Sequence, residues 1–315
     1  MRILKFGGKS LSTIKKAQNI CKYIKKIYKN EKKLIIVVSA MGNTTNNLLK
    51  SCSSLKPDKY ATRELDVLLS TGETASASIF AMSLNKCGVP AKSFQSWQIK
   101  IKTHGNHQNS LITSIEKSKL DKCLESDTVV VVAGFQGINS SGDITTLGRG
   151  GSDTTACALG SAYNVNVELF SDFDGIFSCD PRDMKSKKIK KVSLSQLERS
   201  SKTGSKLVSQ RAVKIATEHN ISLFLKSSTK PTNGGSLANN IETENILISS
   251  IQNLCEITID FPNETKLKLI SKNVLFWLKD YKLYNFTLKS YNIVLTVNVS
   301  DKAEVLKILC KKLNI

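Results

Sequence analysis

The sequence predicts an α/β protein built from βαβ units and followed by a small α+β unit, and three stretches carry that prediction. Thr128 to Ala133 is an apolar, β-branched run, the pattern of a strand buried on both faces. After it come the turn Gly134-Phe-Gln-Gly137, a hairpin over Ile138 to Leu147, the run Gly148-Arg-Gly-Gly-Ser-Asp-Thr-Thr155, a small-residue helix and a second strand at Val165 to Phe170. Near the N-terminus, Ile3 to Phe6 reads as a strand closed by Gly7-Gly8, an amphipathic helix follows, and Leu34 to Val38 is another buried strand. Beyond residues 229 to 241 the pattern changes to short alternating strands and two helices.

In chain order, the first helix places Ile14, Ala17, Ile20, Cys21, Ile24 and Ile27 at helical spacing with lysines opposite, and Ser12 is able to cap it. Gly8-Lys9-Ser10 is no P-loop, because that motif needs a glycine five residues earlier and position 3 is Ile. Ser39 to Thr45 is a hydroxyl-rich turn on the side where α/β sheets bind ligands. Leu65 to Leu69 leads to Ser70-Thr-Gly-Glu73 and a small-residue helix through Leu84, with Glu73 near its start as a surface charge. Ala91 to Gln98 reads as a strand and 104 to 127 as polar and helical, with His104 and His107 at the surface.

The run from Gly148 to Asp153 is an anion site. Its glycines allow close backbone approach, the new helix offers unpaired N–H groups, and Arg149 adds a cation. Further on, Asp180, Pro181 and Arg182 form a turn, helices begin near Ser193 and after Gly204-Ser-Lys206, and Ser222 to Lys226 is a strand. Pro231, Gly234 and Gly235 mark a linker. After it, Cys255 to Phe261, Asn285 to Leu288 and Ile293 to Val299 read as strands, with helices from about Thr265 to Leu278 and from Asp301 to Leu313.

At 315 residues there is room for two domains. No apolar run is long enough to span a membrane, and no signal peptide precedes the first strand. The eight cysteines are scattered without a C-x-x-C pair, which suits reduced thiols in a cytoplasm. The net charge of +20 is spread along the chain without interleaved aromatics, so it reads as solvated faces rather than a nucleic-acid track, and it favours anionic small substrates.

With Lys5-Phe-Gly-Gly8, Val37-Val-Ser-Ala-Met-Gly42, Thr71-Gly-Glu73, the segment Val132 to Asp153, Ser171-Asp172, Asp174-Gly175 and Asp180-Pro-Arg182 in hand, residues 1 to 228 resemble the aspartate kinases of the amino acid kinase family. The resemblance implies a three-layer α/β/α sandwich over 1–228, a linker over 229–245 and a single, shortened ACT-like domain over 246–315. It implies ATP-dependent phosphorylation of the L-aspartate side chain, the first step toward lysine, threonine, methionine and diaminopimelate. Lys5, Asp153 and Lys206 would be catalytic. Lys5, Phe6, Gly7, Gly8, Ser171, Asp172, Phe177, Arg182 and Lys206 would hold ATP, whose Mg²⁺ comes with the nucleotide rather than on a protein metal site. Ser39, Thr45, Glu73, Arg149, Gly150, Gly151 and Ser152 would hold aspartate, with Glu73 on its ammonium group and Arg149 on a carboxylate.

The residues suit that chemistry independently. A carboxylate nucleophile with a pKa of roughly 4 is already ionised at neutral pH, so no base is needed. Phosphoryl transfer asks for positioning and charge neutralisation. The Thr45, Glu73 and Arg149 set argues against glutamate or carbamate as acceptor, and intact Lys5, Asp153 and Lys206 argue against an inactive effector-binding or nucleic-acid-binding scaffold. Departures from the family pattern are Lys9 and Ser171 for Thr, Phe177 for Tyr, Ser205 for Ala and Ser209-Gln210 for His-Pro. Family members usually carry two ACT modules and this chain has room for one. The expectation is therefore a homodimer or higher oligomer with weak or absent feedback by lysine or threonine, or else a pocket completed across the dimer.

Overall fold

The computed structural model describes residues 1–55, 61–181, 186–202, 208–250 and 256–315. Among these, eight strands form one sheet in the order Lys191–Ser193, Ser236–Asn239, Leu223–Ser227, Val167–Ser171, Arg2–Phe6, Leu34–Val38, Val129–Ala133, Ala91–Phe94. Neighbours run parallel except at Ser236–Asn239, which returns antiparallel beside Leu223–Ser227. Strand side chains alternate between two covered faces. Leu4, Phe6, Ile36, Val38 and Val131 pack against helices Ile14–Tyr28 and Ala61–Lys86. Ile3, Ile35, Val37, Val130 and Val132 pack against helices Gly151–Tyr163 and Gln210–Glu218. This is the expected α/β/α sandwich.

The first strand lies at the switch point of the sheet. Its successor Leu34–Val38 pairs on one side, and Val167–Ser171 pairs on the other. The helices leaving the two neighbouring connections cover opposite faces, so a crevice opens beyond the carboxyl ends of Arg2–Phe6 and Val167–Ser171.

Several local expectations change. Ser70 to Glu73 does not start a helix; it lies in the middle of one continuous helix, Ala61–Lys86. Gly72 is small there because a Cβ would sit 3.0 Å from Ala40 Cβ, where the helix crosses the turn after Leu34–Val38. That helix is also long and apolar enough to cross a membrane by length and composition, contrary to the expectation that no such run exists. Here Ala77, Phe80 and Leu84 are instead packed in the core. Residues 104 to 127 are not mainly helical: Lys102–His104 and Leu111–Ser114 pair antiparallel, beside Gln136–Ile138 and Ile144–Thr146, and only Ser118–Glu125 is helix. Part of the expected linker belongs to the main sheet, since Ser236–Asn239 is one of its strands.

His107 is not a free surface residue. Its Nδ1 lies 2.7 Å from Asp66, a fully buried carboxylate on the long helix. Asp66 also accepts the Gln108 and Thr146 N–H groups and the Thr146 hydroxyl (2.6 Å), which ties the helix to the hairpin leading into Gly148. Asp66→Ala leaves these donors unpaired and should cost about 3 kcal/mol, read as a lower urea midpoint at unchanged slope.

The C-terminal unit has an antiparallel sheet in the order Leu247–Ser250, Glu256–Asp260, Asn292–Thr296, Asn285–Leu288, with helices Glu264–Trp277 and Lys302–Leu313 and a core of its own. Arg199 of helix Leu194–Lys202 fastens it, pairing with buried Asp260 at 3.0 Å and donating to the Phe261 carbonyl at 3.2 Å.

Candidate functional site

Lys5 stands at the end of the first strand on the face of Ile3, where helix Gly151–Tyr163 packs. Its ammonium group lies 2.6 Å from Asp153 in the first turn of that helix, and both side chains are 13% exposed. A pair this sheltered holds its cation in place at the floor of the crevice. Phe6 points to the other face, stacked at 4.7 Å on Phe170, so only its backbone reaches the crevice. Gly7 donates to the Phe170 carbonyl (3.3 Å) and joins the two strand ends.

Ala40 links the crevice to its neighbour. A Cβ on Gly8 would stand 2.5 Å from the Ala40 carbonyl oxygen, so the glycine turn is seated on that carbonyl. The Ala40 N–H donates to Glu73 Oε1 at 3.0 Å. Glu73 is only 4% exposed, and its Oε2 has no partner among the described residues. Burial pushes its pKa up to about 7, against the pull of the Ala40 bond and of Lys5. An inward-facing acid with one unpaired oxygen is suited to an ammonium group, and the surface-charge expectation for Glu73 is corrected: the residue is in the helix interior, on its packed face.

Ser39, whose N–H donates to the Phe6 carbonyl (3.2 Å), and Thr45, in helix Thr44–Ser51, flank Ala40 along the chain. Gly150 caps helix Gly151–Tyr163 with left-handed backbone (φ 72°) and no side-chain cap, and Arg149 beside it is exposed. Ser152 is buried. The glycines of this turn serve packing as well as any ligand: a Cβ on Gly150 would meet Ser209 Cβ at 2.3 Å, and one on Gly151 would meet the Phe135 ring at 2.7 Å. Ser209 N-caps helix Gln210–Glu218 through the Ala212 N–H (3.2 Å), so two helix starts abut here.

At the far side of the crevice, Ser171 ends its strand and Asp172 follows it, both exposed, with Asp172 3.8 Å from Lys9. Phe177, half-buried, is in the two-residue strand Ile176–Phe177, held by the Ile176 N–H to Ser236 Oγ at 2.8 Å. Arg182 and Lys206 lie outside the described residues. The sequence reading missed Asp66, Ala40 and Arg211. Arg211 donates to the Leu147 carbonyl (2.8 Å) and the Ser110 carbonyl (3.1 Å), bracing the chain just before Gly148. Arg211 precedes the buried pair Ala212 and Val213 on its helix, but Lys214 and Glu218 are charged there too, so no local signal singled it out.

The family model of the amino acid kinase family matches residues 1–227 of the chain. The chain is 37% identical over 250 residues to an aspartokinase of Geobacillus stearothermophilus, covering 78% of this chain and 61% of that one. It is 36% identical over 267 residues to an aspartokinase of Rickettsia bellii, covering 82% and 66%. The chain thus spans about three fifths to two thirds of the length of these curated relatives. The crystal structure of E. coli aspartokinase III in complex with aspartate and ADP shares its fold, with a TM-score of 0.84 over 100% of both chains at 18% identity.

Proposed function

The chain belongs to the amino acid kinase family, and from that premise we propose that it transfers the terminal phosphoryl group of ATP to the side-chain carboxylate of L-aspartate, releasing ADP and 4-phospho-L-aspartate. The observation that carries the reading is the joint placement of the Lys5–Asp153 pair and buried Glu73 around the Gly8–Ala40 contact. One side of that contact suits phosphates and the other suits an amino acid. The names of the similar curated proteins support the same choice of acceptor.

In this reading the aspartate ammonium group binds Glu73, and exposed Arg149 takes a carboxylate at the start of helix Gly151–Tyr163. Ser39, Thr45, Ser152 and the backbone of Gly150 and Gly151 complete the pocket. The ATP phosphates lie over Gly7 and Gly8 with Lys5 beneath them, and Ser171, Asp172 and Phe177 face the rest of the nucleotide. Arg182 and Lys206 complete the proposed set. Asp153 is a positioning residue, aiming Lys5 through their 2.6 Å ion pair. Two anions must meet for the carboxylate to attack the phosphorus, so the main task of the site is to offset their repulsion. No acid of the site has to take a proton, because the nucleophile is already ionised.

Among the described residues no cluster of acidic, His or Cys side chains is built to hold a metal. Mg²⁺ would come bound to ATP and neutralise phosphate oxygens, and the exposed Asp172 carboxylate fits as a protein group facing it. The C-terminal unit is proposed as a single ACT-like domain. Leu269 and Phe276, one helical face of Glu264–Trp277, are 74% and 69% exposed, which supports association into a homodimer or larger oligomer.

The test is ADP release coupled to hydroxylamine trapping of the acyl phosphate across a panel of amino acids. Aspartyl hydroxamate, dependent on ATP and Mg²⁺, is expected. A hydroxamate from glutamate with none from aspartate would overturn the acceptor.

A further inference from the structure

The geometry points to Lys9 as a further phosphate-binding residue, whose ammonium group leaves Asp172 to contact the terminal phosphate of ATP. The inference rests on the nucleotide site proposed above and adds to it a cation that this chain carries directly after its paired glycines.

Its backbone is pinned. Gly8 is seated on the Ala40 carbonyl, the Gly8 carbonyl accepts from the Gly42 N–H (2.9 Å) and the Leu11 N–H (3.1 Å), and the Lys9 carbonyl accepts from Lys16 Nζ (3.3 Å). Its side chain is the opposite, 76% exposed, with Asp172 at 3.8 Å. An ion pair that long and that wet contributes little, so a stronger anion displaces it easily.

Among the described residues, the cations next to it in the crevice are already engaged. Lys5 is held by Asp153 at 2.6 Å, fixed at the floor of the crevice rather than able to follow a phosphate. Lys16 is tied to Ser12 Oγ at 3.0 Å as well as to the Lys9 carbonyl. Lys9, Lys16, Ser12, Gly42 and Asp172 line one concavity of about 590 Å³ at the crevice mouth, with Lys9 the loosely held cation on its rim. A lysine is a flexible point charge and suits a phosphate that changes position during transfer.

A group that meets the terminal phosphate discriminates ATP from ADP, whereas a general positive field favours both. Calorimetric titration of the full chain with a non-hydrolysable ATP analogue and with ADP, both with Mg²⁺, separates these. Lys9→Ala should weaken the analogue about tenfold, as expected for one charged contact, and ADP no more than about threefold. Lys9→Arg should restore the analogue to within about threefold of the parent chain, because the charge is kept. Equal losses for the two nucleotides, or no loss, would overturn the proposal, as would a parent chain that binds neither nucleotide. If Lys9→Ala gives the selective loss while no amino acid is phosphorylated, the Lys9 assignment stands and the acceptor reading fails. Circular dichroism of each variant checks the fold, which a side chain this exposed should not disturb.

Discussion

Lys5→Ala should lower kcat about a hundredfold or more while changing the KM for aspartate far less. Lys5 is sheltered, fixed by Asp153 and set under the proposed phosphate position. A preorganised charge aimed where charge develops is worth roughly 3 kcal/mol in the transition state, or about two decades of rate. A second readout separates chemistry from simple damage. Lys5 draws the ionisation of Glu73 downward, so its loss should move the acid limb of the aspartate pH profile to higher pH. Asp153 also loses its partner, so thermal unfolding must be followed alongside, and Lys5→Ala/Asp153→Asn removes that complication. Near-normal turnover in Lys5→Ala would take the residue out of the mechanism.

Glu73→Gln should raise the KM for aspartate by about one to two decades with a smaller effect on kcat, since a buried charged contact to the ammonium group is lost. Burial lifts Glu73 to about 7, and only its ionised form attracts an ammonium group. In the parent chain kcat/KM for aspartate should therefore fall about tenfold per pH unit below pH ~7, and the glutamine variant should not show that slope. Stability runs the other way. The folded pKa lies above the unfolded value of 4.5, so the favourable contribution is complete below 4.5 and is lost as pH rises through about 7. At pH 8 the glutamine chain should be the more stable by roughly 3 kcal/mol at most, with little difference near pH 4.5, as measured by urea unfolding. A steep acid limb surviving in Glu73→Gln would assign it to another group. The stability gained by removing the acid would mark Glu73 as a residue kept for binding.

The layers of this protein were legible in its sequence because strand and helix periodicities are local. The runs Leu34–Val38 and Val129–Ala133 are apolar at every position, as strands covered on both faces must be, and both are interior strands of the sheet. Lys5, Gly7, Gly8 and Asp153 were found as a strand end, a turn and a helix start, which are features of short stretches of chain. The alternation of three C-terminal strands was equally plain, and strands occur at Glu256–Asp260, Asn285–Leu288 and Asn292–Thr296. Cys255 lies outside the described residues, and Leu247–Ser250 is a fourth strand that alternation did not mark.

Residues acting across the chain were not legible. Glu73 follows a Ser-Thr-Gly run that has the composition of a helix start, yet contacts with Ala40 and Thr44 carry the helix through that glycine. Tertiary packing outweighs a helix penalty of about 1 kcal/mol for glycine. The same burial raises the Glu73 pKa, a property no local pattern contains. Ser236–Asn239 sits among linker-like residues and becomes a strand because Leu223–Ser227 and Lys191–Ser193 leave room for it between them. Asp66 meets His107 and Thr146 across 41 and 80 residues. Sequence alone determined which elements form and which turns carry chemistry, since both follow from neighbouring residues. The tertiary structure decided which side chains face one another, which charges are buried and that Lys9 stays exposed with only a long ion pair to Asp172, because these depend on contacts between distant segments.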